Sequence, residues 1–164
     1  MFPDGNYLIP DGKGHWKKTD PRIDRARVEA INTRHNRNVL NVIRVMKYWN
    51  KRTPSPSMGS YLLENIILDY YTIKISTASE YVDLEIVDVL NHISIAVYMT
   101  VYDPKGVQGD LNTLTADEKL KISNRASLDF ERAKLARTYE VLENHEDSIK
   151  KWGEVFGSSF PSFG

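Results

Sequence analysis

Residues 39–71 read VLNVIRVMKYWNKRTPSPSMGSYLLENIILDYY, and they contain two strongly apolar segments separated by a short polar run with two prolines. In the first segment Val42, Met46 and Trp49 recur at the spacing of one helix face. The second segment, from about Ser57 to Tyr71, is apolar on nearly every side, as expected for a helix at the centre of a domain. Because the connection is short, the pattern predicts two neighbouring antiparallel helices.

The residues upstream of this pair continue the helical pattern. Asp20 is a good N-cap, and Pro21 suits the first position of a helix. Alternating His, Asn and Arg residues over 34–38 indicate a break before the segment that begins at Val39. One long bent helix over 21–51 is an open alternative.

The first 21 residues contain several prolines and glycines, which exclude a long helix. Within them, residues 7–9 are compatible with one short edge strand. The same region carries too many large apolar side chains for a solvated tail, so we expect an irregular but ordered arm that lies on another surface. These side chains are Phe2, Tyr7, Leu8, Ile9 and Trp16.

Downstream, Thr115 and Glu118 have the spacing of a capping box, which predicts the start of a long helix. Residues 72–76 alternate like a strand but have no evident partner, so a loop is expected there. The other expected elements are helices over about 79–102, 115–143 and 146–156, a polar loop over 105–114 and a tail over 158–164. The sequence therefore predicts an all-α fold of five to six helices in a bundle, with an irregular N-terminal arm and a C-terminal tail.

The composition fits one globular domain of 164 residues and 18.9 kDa. Lys and Arg number 22, and so do Asp and Glu, so the formal net charge is zero. This balance excludes a domain that binds nucleic acid mainly through its overall positive field. The absence of cysteine excludes disulfide scaffolds, thiol nucleophiles and cysteine-bound zinc. The sequence shows neither an apolar run long enough to span a membrane nor a signal peptide, so we expect a cytoplasmic protein without a membrane partner.

The chain contains no familiar catalytic or metal-binding motif. The four histidines lack the spacing of metal ligands, and a surface or structural role is expected for each. Asp83 and Glu85 form a D-x-E pair, but residues two apart on a helix do not face each other. Gly59 and Ser60, followed by Asp69, imitate the start of a nucleotidyltransferase site, yet the intervening residues are helical. No catalytic residue and no metal ligand is therefore predicted.

A candidate binding site lies where the two central helices meet. Lys47 is in the last turns of the first helix, and Gly59, Ser60 and Tyr61 begin the second. Free backbone N–H groups and the helix dipole favour an anion at a helix start. Ser60 adds a hydroxyl donor, Gly59 permits close approach of a phosphate, and Tyr61 offers a ring on which a base can stack. Helix capping by Lys47 and Ser60, with Tyr61 in the core, is the alternative interpretation.

These residues belong to a longer pattern. It consists of residues 42–50 (VIRVMKYWN), residues 59–64 (GSYLLE), residues 7–11 with Trp16, and residues 103–112 followed by a long helix. The pattern resembles the helical C-terminal half of the oligoadenylate-synthetase/cGAS-like nucleotidyltransferases. Within that superfamily it is most similar to the bacterial CD-NTases, the cGAS/DncV-like enzymes of anti-phage signalling. The resemblance covers nearly the whole chain.

In that family the helical lobe holds the donor nucleotide, which would be ATP or GTP. The resemblance implies that Lys47 and Ser60 contact the triphosphate and that Tyr61 stacks on the base. It also implies that Asp103 and Asn112 sit in a loop near the cleft. The product would be a cyclic or linear oligonucleotide, a second messenger of antiviral defence, and Mg²⁺ would be held only by the other, catalytic lobe.

The family's Gly-Ser motif and three metal-binding carboxylates have no counterpart in this chain. The expected organisation is therefore an arm over 1–21 that packs on a missing N-terminal catalytic lobe, and a helical nucleotidyltransferase lobe over 22–164. Whether this polypeptide is an enzyme by itself stays open. A non-catalytic helical interaction module, or a homodimer, is the main alternative. The balanced charge argues against RNA binding by the basic residues of 34–52.

Overall fold

The computed structural model describes residues 7–10, 14–52 and 56–164. Over these residues the chain folds into six helices preceded by one short hairpin, which confirms the predicted all-α class. Phe2 and Pro54, which entered the sequence predictions, lie outside the described residues. The helices are α1 (Pro21–Arg34), α2 (Val39–Lys51), α3 (Ser60–Ile73), α4 (Val82–Ala96), α5 (Ala116–Val141) and α6 (His145–Phe156), and the strands are β1 (Tyr7–Pro10) and β2 (Trp16–Thr19).

Helix α3 is the central element of the bundle, as its apolar sequence predicts. Leu63, Ile67 and Tyr71 are completely buried along it. The helix packs against α1, α2 and α4, while α5 covers α4 and α6 packs on α5. Met46 of α2 and Leu90 of α4 belong to the same buried core. The core therefore lies around α3, and every neighbouring helix contributes its apolar face to it.

Side-chain pairs give the relative direction of α2 and α3. Lys47 of α2 contacts Glu64 of α3, whereas Asn50, further along α2, contacts Met58 just before α3. Residue numbers thus rise along one helix as they fall along the other. The two helices are antiparallel neighbours, as the short connection predicts.

The chain breaks between α1 and α2, so the alternative of one bent helix is wrong. Asn36 and Arg37 have φ angles of 55° and 60°, in the left-handed region that no α-helix uses. The buried His35 accepts a hydrogen bond at Nδ1 from the Ala78 N–H at 3.1 Å, which leaves Nε2 to donate to the Tyr71 carbonyl at 2.8 Å. These bonds fix the turn against the end of α3.

The predicted start of α3 near Ser57 is wrong by one turn. The helix begins at Ser60, because both the N–H and the carbonyl of Met58 bind the buried side chain of Asn50 instead of helical partners. A tertiary hydrogen-bond pair of this kind leaves no periodic trace in the sequence.

Helix α4 is shorter than predicted. It spans Val82–Ala96 instead of 79–102. Beyond its end, the Asn112 side chain donates to the carbonyls of Val97 and Met99 at 2.8 and 2.7 Å. These carbonyls find their partner in a side chain, so further helical turns are not needed to satisfy them.

In the described part of the N-terminal arm, β1 and β2 pair as a two-stranded antiparallel hairpin. Tyr7 pairs with Thr19, and Pro10 pairs with Trp16. Of the two strands, only the first was predicted from the sequence. The second strand reads WKKT and has no run of apolar or β-branched residues, so its structure depends on the cross-strand hydrogen bonds.

Helices α5 and α6 complete the bundle. The predicted capping box is present, since Thr115 Oγ1 accepts from the Glu118 N–H at 3.3 Å and Glu118 Oε2 accepts from the Thr115 N–H at 2.8 Å. After α6, Phe160 stacks on Phe156 with ring centroids 5.8 Å apart, so the tail packs against the bundle. Within the described ranges, every helix is too short or too polar to cross a lipid bilayer.

Candidate functional site

The corner between α2 and α3 is built around the buried Asn50. Its Nδ2 donates to the Met58 carbonyl at 2.7 Å, and its Oδ1 accepts from the Met58 N–H at 3.0 Å. Two hydrogen bonds from one side chain fix the backbone just before α3. The last turns of α2 and the first turns of α3 are thereby held side by side, and we call this place the α2–α3 corner.

Lys47 and Glu64 join the two helices at this corner. The Lys47 ammonium donates to Glu64 Oε2 and forms an ion pair. Glu64 lies four residues after Ser60, so the two side chains share one face of α3. Lys47 thus contacts α3 at Glu64, one turn beyond Ser60 along the helix. The side chain of Lys47 is 36% exposed and that of Glu64 is 24% exposed, so solvent reaches the pair.

The start of α3 is suited to an anion. Gly59 occupies the N-cap position and offers no side chain to the first N–H groups. A Cβ atom at Gly59 would meet no heavy atom within 4 Å among the described residues, so the space beside this backbone is free of them. Ser60 is exposed, and the first turn carries no acidic residue. Uncapped N–H groups and the helix dipole make this the positive end of α3.

Tyr61 points toward α1 and the loop that follows α4. Its hydroxyl donates to Asp24 Oδ1 at 2.8 Å and accepts from the Lys105 ammonium. The same hydroxyl lies 3.2 Å from Asp103 Oδ1. Burial, together with the bond to Asp24, raises the pKa of Tyr61 to about 12, so the hydroxyl stays protonated at neutral pH.

Lys105 is at the centre of this charged cluster. Its ammonium lies 2.9 Å from Asp24 Oδ2 and 3.3 Å from Asp103 Oδ1, and its side chain is only 3% exposed. Burial disfavours the charged ammonium, but the hydrogen bonds to Tyr61 and Asp24 outweigh burial and raise the pKa of Lys105. The cluster connects α1, α3 and the loop after α4, and it holds the Tyr61 hydroxyl in place.

Asp103 organises the loop itself. Its Oδ2 accepts from the backbone N–H groups of Val107 and Gln108 at 3.2 and 3.0 Å, and its Oδ1 accepts from the Lys105 N–H at 3.2 Å. Burial alone would raise the pKa of Asp103, but these N–H donors and the Lys105 charge reverse the effect and lower it. The Asp103 carboxylate is thus turned inward and fully engaged by the loop.

Asn112 caps the carbonyl groups that follow the end of α4. Its Nδ2 bridges the carbonyls of Val97 and Met99, as described above, while its buried Oδ1 has no hydrogen-bond partner among the described residues. The structure therefore gives Asn112 a capping contact, and the one unpaired oxygen is the part of the side chain left for a water or another partner.

Sequence reasoning missed two members of the α2–α3 corner, Asn50 and Glu64. The position of Glu64, four residues after Ser60, was a usable signal because it places the carboxylate on the face that Lys47 approaches. An isolated asparagine near a helix end can take many roles, so nothing in the sequence singled out Asn50. Among the described residues, no group of three His, Cys, Asp or Glu side chains could hold a metal ion.

Comparison with known proteins adds one informative likeness. No protein-family model matches the chain. The chain is 48% identical over 156 residues to a protein of Bacillus cereus (strain VD146) described as a probable cyclic nucleotide synthase. The aligned segment covers 95% of this chain and 46% of that protein, so the chain spans about half the length of the relative it matches. This likeness agrees with the resemblance to nucleotide-synthesising enzymes found in the sequence.

Proposed function

We propose that this chain is the nucleotide-holding helical lobe of a synthase that makes a cyclic or linear oligonucleotide second messenger. The observation that carries the proposal is the 48% identity, over 95% of the chain, to a probable cyclic nucleotide synthase. The α2–α3 corner supports it, because an ammonium, a hydroxyl and an uncapped helix start lie on adjoining turns.

The donor in this proposal is ATP or GTP, with its triphosphate at the α2–α3 corner. Ser60 and the first N–H groups of α3 donate to phosphate oxygens. Lys47 exchanges its Glu64 partner for the triphosphate. That exchange is favourable because an ion pair between partly exposed groups contributes only about 0.2–1 kcal/mol, whereas a triphosphate offers Lys47 several negative charges.

In the proposed reaction a ribose hydroxyl of the acceptor attacks the α-phosphorus of the donor. A new O–P bond forms as the hydroxyl releases its proton to solvent, the bond from the α-phosphorus to the bridging oxygen breaks, and pyrophosphate leaves. The part assigned to this chain is to hold the β- and γ-phosphates and so orient the donor. The proposal places Mg²⁺ on a separate catalytic lobe, as the resemblance to the nucleotidyltransferases implies.

In this proposal the Tyr61 ring stacks on the donor base, while its hydroxyl keeps its hydrogen bonds to Asp24 and Lys105. A ring held at its hydroxyl loses little further freedom when a base stacks on it. Asp103 contributes by shaping the loop around Lys105, and Asn112 by holding the end of α4.

The hairpin packs on the catalytic lobe in this proposal. Tyr7, Leu8 and Ile9 are each about two-fifths exposed, and Trp16 is 66% exposed. Side chains of this size on one small hairpin are typical of a surface that a partner covers. The remaining half of the relative's length could supply that partner. A cytoplasmic location and a role in antiviral defence belong to the same proposal, and association of two copies of the chain is its alternative.

A chimeric enzyme tests the proposal. The segment of the Bacillus cereus protein that aligns with this chain is replaced by this chain, and products from ATP and GTP are identified by mass spectrometry. We expect oligonucleotide synthesis in the chimera and its loss when Lys47→Ala and Ser60→Ala are combined. Lys121→Ala, on the exposed face of α5, is the matched control. Synthesis that survives the double substitution would remove the site assignment.

A further inference from the structure

A groove runs along the side of α2 where α6 and residues 157–161 meet that helix. It has two adjoining compartments that share Tyr48, Phe156 and Ser159. One compartment is mainly apolar and has a volume of about 360 Å³, and the other is mainly polar and has a volume of about 330 Å³. Each is large enough for part of a small organic ligand. We call the two together the α2–α6 groove.

The apolar compartment is walled by aromatic rings. Tyr48 is 49% exposed, and its ring centroid lies 6.4 Å from that of Phe156. Phe160 stacks on Phe156 with centroids 5.8 Å apart and planes 21° apart, so the wall continues into the tail. An accessible ring beside a fixed aromatic stack is a surface on which a planar aromatic group gains contact area at small entropic cost.

The polar compartment offers cations and hydroxyl groups. It is lined by Lys51, Arg52, Ser158 and Ser159. The Arg52 guanidinium donates to the carbonyls of Glu154, at 2.7 Å, and Val155, so it is fixed at the end of α6. Lys51 is exposed and forms no ion pair with any described residue. A free ammonium beside a fixed guanidinium and two hydroxyls has the chemistry that binds a phosphate group.

The charges around the groove favour one orientation of a bound ligand. Neither compartment has an Asp or Glu in its described lining, which does include Arg44, Lys51 and Arg52. The neighbouring hollow on the other side of Phe160 contains Glu80 and Asp83. Glu80 opposes an anion on that side, whereas Asp83 is paired with Arg137. An anionic group is therefore favoured at Lys51, and an uncharged aromatic group fits beside Tyr48 and Phe160.

We propose that the α2–α6 groove binds a nucleoside phosphate, with the base against Tyr48 and Phe160 and the phosphate at Lys51, Ser158 and Ser159. Lys47 and Ser60 are absent from the described lining of both compartments. This groove is thus a second site, distinct from the α2–α3 corner, and the proposal does not depend on the function proposed above.

Calorimetric titration of the 164-residue chain with AMP tests this site. We expect Tyr48→Ala to weaken AMP binding by about ten-fold, because a base loses its stacking surface. Tyr48→Phe should retain binding, since the ring is kept. Lys51→Glu should weaken binding by about ten-fold or more and should abolish the added affinity of AMP over adenosine.

Matched control variants distinguish a loss of binding at this groove from the general effect of removing a tyrosine or reversing a surface charge. Tyr98→Ala removes a tyrosine of similar exposure, and Arg25→Glu reverses an exposed charge on α1. Both should bind AMP like the unchanged chain. Circular dichroism verifies that every variant is folded.

Two outcomes overturn the proposal. One is the absence of AMP binding by the unchanged chain at millimolar concentration. The other is AMP binding that the Tyr48→Ala and Lys51→Glu substitutions leave intact, whether or not it depends on Lys47 and Ser60. Loss of the α2–α3 corner as a donor site would leave the AMP result unaffected, so the two proposals fail separately.

Discussion

Lys47 and Glu64 are the two residues whose charges compete at the α2–α3 corner. Their ion pair joins neighbouring helices, yet both side chains are partly exposed. Such a pair adds little to stability, of the order of 0.2–1 kcal/mol. Its main consequence is electrostatic, because the Glu64 carboxylate occupies the ammonium that a phosphate would use and repels the phosphate as well.

Replacing that carboxylate should therefore strengthen anion binding. We expect Glu64→Gln to increase the affinity of the chain for ATP by about two- to five-fold, the equivalent of roughly 0.5–1 kcal/mol. Glu131→Gln, an exposed carboxylate of α5 that pairs with Lys134, is the matched control. Isothermal titration at low salt measures both. An unchanged or lower affinity in Glu64→Gln would indicate that Lys47 does not meet the phosphates.

At the scale of elements, the connection between α2 and α3 depends on Asn50. Its side chain satisfies both backbone groups of Met58 inside the core. Removing it leaves a buried donor and a buried acceptor without partners. A buried polar group in that state costs about 1–3 kcal/mol.

We therefore expect Asn50→Ala to lower the free energy of unfolding by about 1–3 kcal/mol, measured by urea denaturation. Asn91→Ala, at an exposed position of α4, should change it by less than about 0.5 kcal/mol. Equal stability of Asn50→Ala and the unchanged chain would mean that the corner is held by apolar packing alone.

The helices themselves could be predicted because their apolar spacing is strong. Met46 and Trp49 recur on one face of α2, and the capping-box residues Thr115 and Glu118 mark the start of α5. The missed boundaries share one cause. The start of α3 and the end of α4 are decided by the side chains of Asn50 and Asn112, which bind backbone groups of other segments. Local periodicity carries no information about such contacts.

At the scale of the whole molecule, the cluster around Lys105 links distant parts of the chain. Asp24 lies in α1, Tyr61 in α3, and Asp103 in the loop after α4. The sequence pointed to Tyr61 and Asp103 through a resemblance, and the structure brings them within 3.2 Å of each other. Neither Asp24 nor Lys105 could be predicted from the sequence, because their contact depends on how α1 and the loop pack on α3.

Because of this cluster, the free energy of unfolding should depend on pH in the acid range. The folded-state pKa of Asp103 is lowered, so below its ordinary value of about 3.9 the unfolded chain takes up a proton before the folded chain does. The contribution of Asp103 is complete above that value and is lost as the pH falls through the folded-state pKa.

We expect Asp103→Asn to lower the free energy of unfolding at pH 7 by about 1–3 kcal/mol, because the loop N–H groups and Lys105 lose their anion. The difference between the variant and the unchanged chain should shrink steadily as the pH is lowered from 5 to 2. Urea denaturation at each pH measures this difference. Asp117→Asn, at an exposed position of α5, is the control. A difference that stays constant with pH would show that the Asp103 charge is not responsible.

The most direct measurement of the donor site is the backbone amide chemical shift of the ¹⁵N-labelled chain during titration with ATP. The N–H groups of Ser60, Tyr61 and Leu62 should move most, and their movement should disappear in Lys47→Ala but persist in Lys51→Glu. If these three amides stay still while ATP binds, or move equally in Lys47→Ala, the start of α3 does not hold the triphosphate.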